Sequence, residues 1–195
     1  MKNTRLKTSI TFLVIFGFAI MAGCILNPKE KDDPPPNNNP WPSLANPEGI
    51  VQTLERCYKD RNAEKYREIL LDPKYLFYLQ ERDVQGGEEE FWNLEEDYDS
   101  VRRMFLAAIG APDGNDPLLN RLDLTIEGGT WTDVDSIGDE ACVDCRYTER
   151  IYDVTAVIGE TTYLAHDVIA LYVQPVEEQG MTIYKIRRAY DLPQR

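Results

Sequence analysis

A few residue groups in this chain could do chemistry. Cys142-Val-Asp-Cys145 is the one CxxC pair. That spacing serves zinc or dithiol chemistry when a second pair of ligands accompanies it, and the chain contains 1 histidine. Residues three apart on a regular strand point to opposite faces. The two cysteines are therefore read as unable to share a metal or to bridge easily, and no metal ligand set is expected. Cys145 is read as a small core residue. A Cys57–Cys145 disulfide stays open, because both fall on expected core faces.

His166 would have to serve any Ser-His-Asp or Cys-His site. It shares a strand face with Val168 and Ala170, and parity does not say whether that face is inside. A lone strand histidine is more often structural, and the same holds for neighbouring Asp167. Tyr58, Phe77, Trp92, Tyr147 and Tyr184, with His166, are the candidates for lining an interior pocket; the plainer reading is a filled aromatic core. The acidic runs Glu88-Glu89-Glu90 and Glu95-Glu96-Asp97 flank a helix start, where negative charge suits the dipole. Asp113-Gly-Asn-Asp116 lacks the spacing of a calcium loop. No catalytic constellation and no cofactor are expected.

Composition narrows the classes further. The formal charge is −13, and Lys2, Arg5 and Lys7 are the only charges in the first 23 residues. Without that segment the charge is about −16. Phosphate backbones need clustered Lys and Arg, so nucleic acid is excluded as a partner. Adhesion to anionic headgroups is excluded on the same ground. Cys57, Cys142 and Cys145 form at most one internal bridge and leave one thiol over.

The elements that must position these residues come in order. Asn46-Pro47 starts a helix whose stripe is Ile50, Val51, Leu54, Cys57 and Tyr58, ending near Arg61. Asn62 caps a second, short helix buried through Ala63, Tyr66, Ile69 and Leu70, which Asp72-Pro73 stops. Residues 75–79 read as a short aromatic strand. Asn93 and Glu96 form a capping box for a third helix, which buries Leu94, Tyr98, Val101, Phe105 and Ala108 before Gly110. The period then changes to two. Leu122, Leu124 and Ile126 alternate with polar residues. In residues 141–153 the alternation puts Ala141, Val143, Cys145, Tyr147 and Ile151 on one face. Long strands follow at 161–174 and 182–190. Helices followed by antiparallel strands mean α+β.

Two resemblances add to this reading. Residues 10–22 are an apolar run of about 13, too short to cross a bilayer comfortably. Met21-Ala22-Gly23-Cys24 ends it and resembles a bacterial lipobox, with Met where Leu is commoner. The resemblance implies cleavage before Cys24, lipidation of Cys24, and membrane attachment through that lipid. Ile25 after the cysteine fits the outer membrane of a Gram-negative cell, facing the periplasm or the cell surface. Residues 27–42 are rich in Pro, Asn and charge and read as a semi-rigid tether. Trp41 is expected to pack on the domain edge.

Residues 54–62 (LERCYKDRN), 70–78 (LLDPKYLFY) and 184–191 (YKIRRAYD) resemble the NTF2-like, or cystatin-like α+β barrel, superfamily over about residues 47–191. Ala189 stands where a Trp is frequent. The resemblance implies a cone, three N-terminal helices packed into a strongly curved antiparallel sheet. The organisation is then 1–23 signal peptide, 24–45 lipidated cysteine and tether, 46–195 domain. Function is expected to be non-catalytic binding of a protein partner or small ligand at the cell envelope, with a homodimer through the sheet as a further option. The alternative is a cone-pocket isomerase or dehydratase using a buried acid with Tyr58 or His166, by the logic of the ketosteroid isomerases. No carboxylate stands out as buried.

Overall fold

A computed structural model describes residues 40–70, 74–80, 84 and 90–193. The leader, the lipobox, most of the tether and Glu88 and Glu89 of the first acidic run lie outside the described residues. Three helices pack on a curved sheet, α1 Glu48–Asp60, α2 Ala63–Glu68 and α3 Leu94–Ala108, with two short strands of the sheet between the second and third. The strands are β1 Leu76–Tyr78, β2 Phe91–Asn93, β3 Arg121–Glu127, β4 Thr132–Ile137, β5 Glu140–Ile158, β6 Thr161–Glu178 and β7 Met181–Leu192.

The helix starts follow the sequence closely. Asn46 Oδ1 accepts the Gly49 N–H at 2.9 Å, and Asn62 Oδ1 accepts from Lys65 at 2.9 Å. Asn93 and Glu96 close a reciprocal capping box on α3. Gly49 is needed for a different reason: a Cβ there would lie 1.9 Å from the Ser43 carbonyl oxygen. The chain before α1 therefore packs against it. Trp41 lies under the Arg56 guanidinium at 4.3 Å, and the Leu44 carbonyl accepts from Tyr184 N at 2.8 Å. Packing thus reaches into the last residues expected to belong to the tether.

The sheet order is β2-β1-β7-β6-β5-β3, with β4 paired to β5 beside β3. It is mixed rather than wholly antiparallel, because β1 runs parallel to β7 with Phe77 opposite Ala189. The two strands are far apart in sequence, so no hairpin turn dictates their direction. Helices and sheet enclose one main core, including Ile50, Leu54, Phe105, Leu122, Leu171 and Ile186.

The face assignment on β5 corrects the alternation read from sequence. Its inner face carries Thr148, Arg150, Tyr152, Val154 and Ala156, opposite Leu171, Ile169 and Tyr163 of β6. Ile151 is 43% exposed and Val143 81%, so the more apolar parity faces outward there. For Arg150 the reason is charge pairing with a distant segment of the chain. Arg150 is buried because it ion-pairs with Glu48 of α1 at 2.6 Å, and Trp131 Nε1 donates to the same carboxylate at 3.1 Å.

The cysteines are a second correction. Cys142 and Cys145 are disulfide-bonded, and Cys57 is a free buried thiol; a Cys57–Cys145 bridge is ruled out. Asp144 between them has φ 55°. That left-handed residue breaks the strand parity, so two side chains three apart reach the same side. With Ile137 they form a small second cluster against Val134 and Tyr172. Cys145 is buried, but in this outer cluster and not in the main core.

Candidate functional site

The most unusual polar cluster is built by three elements. Asn62 caps α2 and so places Tyr66 inward. Tyr75 leads into β1, and the capping box orients the first turn of α3, which carries Asp97. Tyr66 OH donates to Asp97 Oδ2 at 2.6 Å, and Tyr75 OH donates to the same oxygen at 2.7 Å. All three side chains are buried, with Asp97 4% exposed. Burial raises the Asp97 pKa to about 6, and the two phenol hydrogen bonds hold it from rising further. Burial and the adjacent carboxylate push both phenols well above their ordinary value.

An acid titrating near neutrality beside two phenols has the ingredients of proton transfer. Its geometry is directed differently. Both O–H groups are spent on one carboxylate oxygen, whereas an oxyanion site aims its donors at a space where a reacting atom fits. Tyr58 packs edge-on against Phe105 at 5.1 Å between ring centres. Two depressions, of about 390 and 300 Å³, open at the surface, and neither is lined by Asp97, Tyr66 or Tyr75.

Asp97 stands three residues after Leu94 and four before Val101, within the apolar stripe of α3 (the stripe also holds Tyr98 and Phe105), and that spacing is its signal in the sequence. Glu95 and Glu96 are exposed and Asp97 is not, which corrects the expectation that no carboxylate is buried.

The residues proposed to line an interior pocket separate. Tyr58, Phe77 and Tyr184 pack against the main core, and Trp92 pairs with Phe77 at 5.9 Å. Tyr147 and His166 lie on the outer face. Tyr147 packs on Tyr172 at 4.6 Å, and Tyr172 meets Tyr190, which stacks on Tyr78. His166 Nδ1 lies 2.5 Å from Asp153 Oδ1, both about half exposed. Asp167 takes the opposite, inner parity. There Tyr152 OH donates to Asp191 at 3.0 Å, and burial and that acid raise the Tyr152 pKa. His166 and the buried acid therefore cannot act together. Among the described residues, no group of three metal-ligating side chains converges. Asp116 forms a bidentate pair with Arg103, at 2.8 and 2.9 Å, and so is structural.

No family model matches the chain, and no curated protein matches it. Solved structures do. The β subunit of benzoate 1,2-dioxygenase from Burkholderia mallei aligns over 75% of this chain and 87% of its own, at 11% identity and TM-score 0.52. An NTF2-like protein of unknown function in nutrient uptake from Rhodospirillum rubrum covers 75% and 96%, at 12% identity and TM-score 0.48. An uncharacterised protein with a cystatin-like fold from Caulobacter vibrioides covers 76% and 87%, at 9% identity and TM-score 0.47. At this identity the likeness to the dioxygenase β subunit shows the fold alone, an α+β fold with helices packed on a curved sheet.

Proposed function

We propose that this chain is a lipid-anchored, non-catalytic binding module of the cell envelope, held through Cys24 and presenting its NTF2-like domain to a protein partner or small ligand. The observation that carries the non-catalytic part is the convergence of Tyr66 and Tyr75 on Asp97. Donors that would polarise a substrate already have an acceptor inside the protein. The cluster then works as a structural tie between α2, β1 and α3. The anchor is supported by the lipobox resemblance of residues 21–24. Metabolic labelling with palmitate tests it: the wild-type chain takes up label and partitions with membranes, and Cys24→Ser does neither. Labelling of the variant would end the anchored reading.

A partner, or a second copy, has a face to use. On the outer side of the sheet Leu164 is 72% exposed and Ile151 43%, flanking the Asp153–His166 pair. Light scattering on the wild type and on Leu164→Asp distinguishes a sheet-mediated dimer from a monomer.

The enzyme reading retains one favourable observation, the raised Asp97 pKa. It requires a substrate to displace at least one phenol from the carboxylate. An isomerase or dehydratase substrate whose turnover disappears in Asp97→Asn while the fold survives would establish it over the binding module.

A further inference from the structure

We propose that the Cys142–Cys145 bridge is a reversible redox site, and that its reduction by a dithiol lifts the tip of the β4–β5 hairpin off the outer face of the sheet. The inference goes beyond the binding-module reading. It needs neither the lipid anchor nor a partner, so failure of either leaves it standing, and its own failure leaves them standing.

The bridge staples a bulge. Val134 pairs with Cys145 and Ser136 with Ala141, so residues 142–144 stand opposite Asp135 alone. Asp144 has the left-handed backbone, φ 55°, that brings the two cysteines to one side. A residue other than glycine stays there only where its surroundings hold it. With the bridge open, Asp144 returns to extended backbone, and side chains three apart then point to opposite faces. Cys142 and Cys145 can no longer both sit with Ile137 against Val134 and Tyr172. The cysteines are separated by 3 in sequence. Closing so short a loop adds little chain-entropy stabilisation to the bridge, so it reduces more readily than a long-range disulfide.

That cluster is one hold on the hairpin tip, and Glu140 is the other. Glu140 accepts from Lys74 Nζ at 3.0 Å and pairs with Arg187. Arg187 stands where β7 slips against β6, between the Arg188–Tyr172 and Ile186–Val173 pairs. Ile186 enters the main core, whereas Arg188 lies over the Tyr78 ring on the outer side. Gly138 in the β4–β5 turn lies against the Arg188 guanidinium, which a Cβ there would strike. The tip thus covers two arginines, and Arg187 beneath it is 2% exposed. The half-exposed Lys74–Glu140 pair contributes little to holding it. Arg187 regains water when the tip lifts, which offsets its lost partner. The apolar cluster maintained by the bridge therefore decides whether the cover stays down.

Cys142 keeps 8% exposure beside Val143, which is 81% exposed, and Cys145 has none. An incoming thiolate therefore attacks Cys142 Sγ. The bond between the two Sγ atoms breaks, and Cys145 leaves as a thiolate and takes a proton. The second thiol of the reductant then displaces Cys142 from the mixed disulfide. Two electrons pass to the bridge, two protons end on the cysteine thiols, and the dithiol becomes a disulfide.

The test is amide hydrogen exchange of the purified full chain with and without dithiothreitol, in the absence of denaturant. Cysteines are mapped with iodoacetamide and arginines with phenylglyoxal. Reduction should open Cys142 and Cys145 to alkylation and Arg187 to phenylglyoxal. It should speed exchange in residues 132–147 at least about tenfold and leave α1 and α3 as slow as before. Reoxidation should reverse all of these changes. Cys142→Ser combined with Cys145→Ser should show the open pattern without reductant. A bridge that resists dithiothreitol in the folded chain or does not re-form would overturn the proposal. So would unchanged exchange and labelling after reduction, or exchange that quickens equally in α1 and α3.

Discussion

Asp97→Asn isolates the physics of the buried cluster. The Asp97 carboxyl titrates at about 6 in the folded chain against an ordinary 3.8. A raised acid pKa means that the folded state holds the proton more tightly than the unfolded state. Stability from this group is therefore fully present below about pH 4. It falls as pH rises from 4 to 6, and levels off above 7. Two pH units correspond to about 3 kcal/mol. Other carboxylates work the opposite way; Lys74 and Arg187 hold the Glu140 carboxyl below its usual value. The raw stability curve mixes these signs, and the difference between wild type and variant removes them. The asparagine side chain has nearly the same shape as aspartate and keeps an oxygen to accept both phenols, but it does not ionise. Urea unfolding followed by tryptophan fluorescence at pH 4 to 7.5 gives the two curves. The wild type should lose about 3 kcal/mol more than the variant across that range. If the difference stays constant within about 0.5 kcal/mol, Asp97 does not titrate as its burial implies, and the cluster is not the structural tie proposed above. Tyr66→Phe offers a check of cause. It removes a bond to the ionised form, so the window should move to higher pH.

Four further outcomes follow from other contacts. Alkylation of the unfolded but unreduced chain should label Cys57 and neither Cys142 nor Cys145, and peptide mapping should recover Cys142 linked to Cys145; label on Cys145 would refute the bridge. Breaking that bridge with Cys142→Ser and Cys145→Ser together should cost about 2 kcal/mol or less in urea unfolding, because the loop it closes is very short. Asn93→Ala should cost about 1 kcal/mol by removing the α3 capping box, measurable as a lower urea midpoint with an unchanged slope. Gly49→Ala should destabilise by more than about 1 kcal/mol, since the added methyl meets the Ser43 carbonyl; an unaffected melting temperature would show that the segment before α1 is free to shift.

Local rules and tertiary rules divide the molecule cleanly. Helix starts at Asn46, Asn62 and Asn93 were legible because capping is settled within four residues. The stripe on α1 and the Leu122–Leu124–Ile126 alternation were legible because period and burial agree there. On β5 they do not agree. Thr148 and Arg150 are polar yet inward, and for Arg150 the reason is Glu48, 102 residues away in the chain. Similarly, a single left-handed residue, Asp144, reverses the relation between Cys142 and Cys145. No period-based rule anticipates where a strand will bulge.

The candidate site shows the same limit more sharply. The sequence by itself determined the three helices and their caps, the short strand after α2, the long strands of the second half and the strongly acidic charge. These depend on composition and on neighbours a few residues apart. Only the tertiary structure decided that Asp97 meets Tyr66 and Tyr75, that His166 takes the outer face of its strand and Asp167 the inner, and that Arg61 keeps a buried N–H without a partner. Each depends on which residues from distant segments share a space, and that is set by the packing of the whole core.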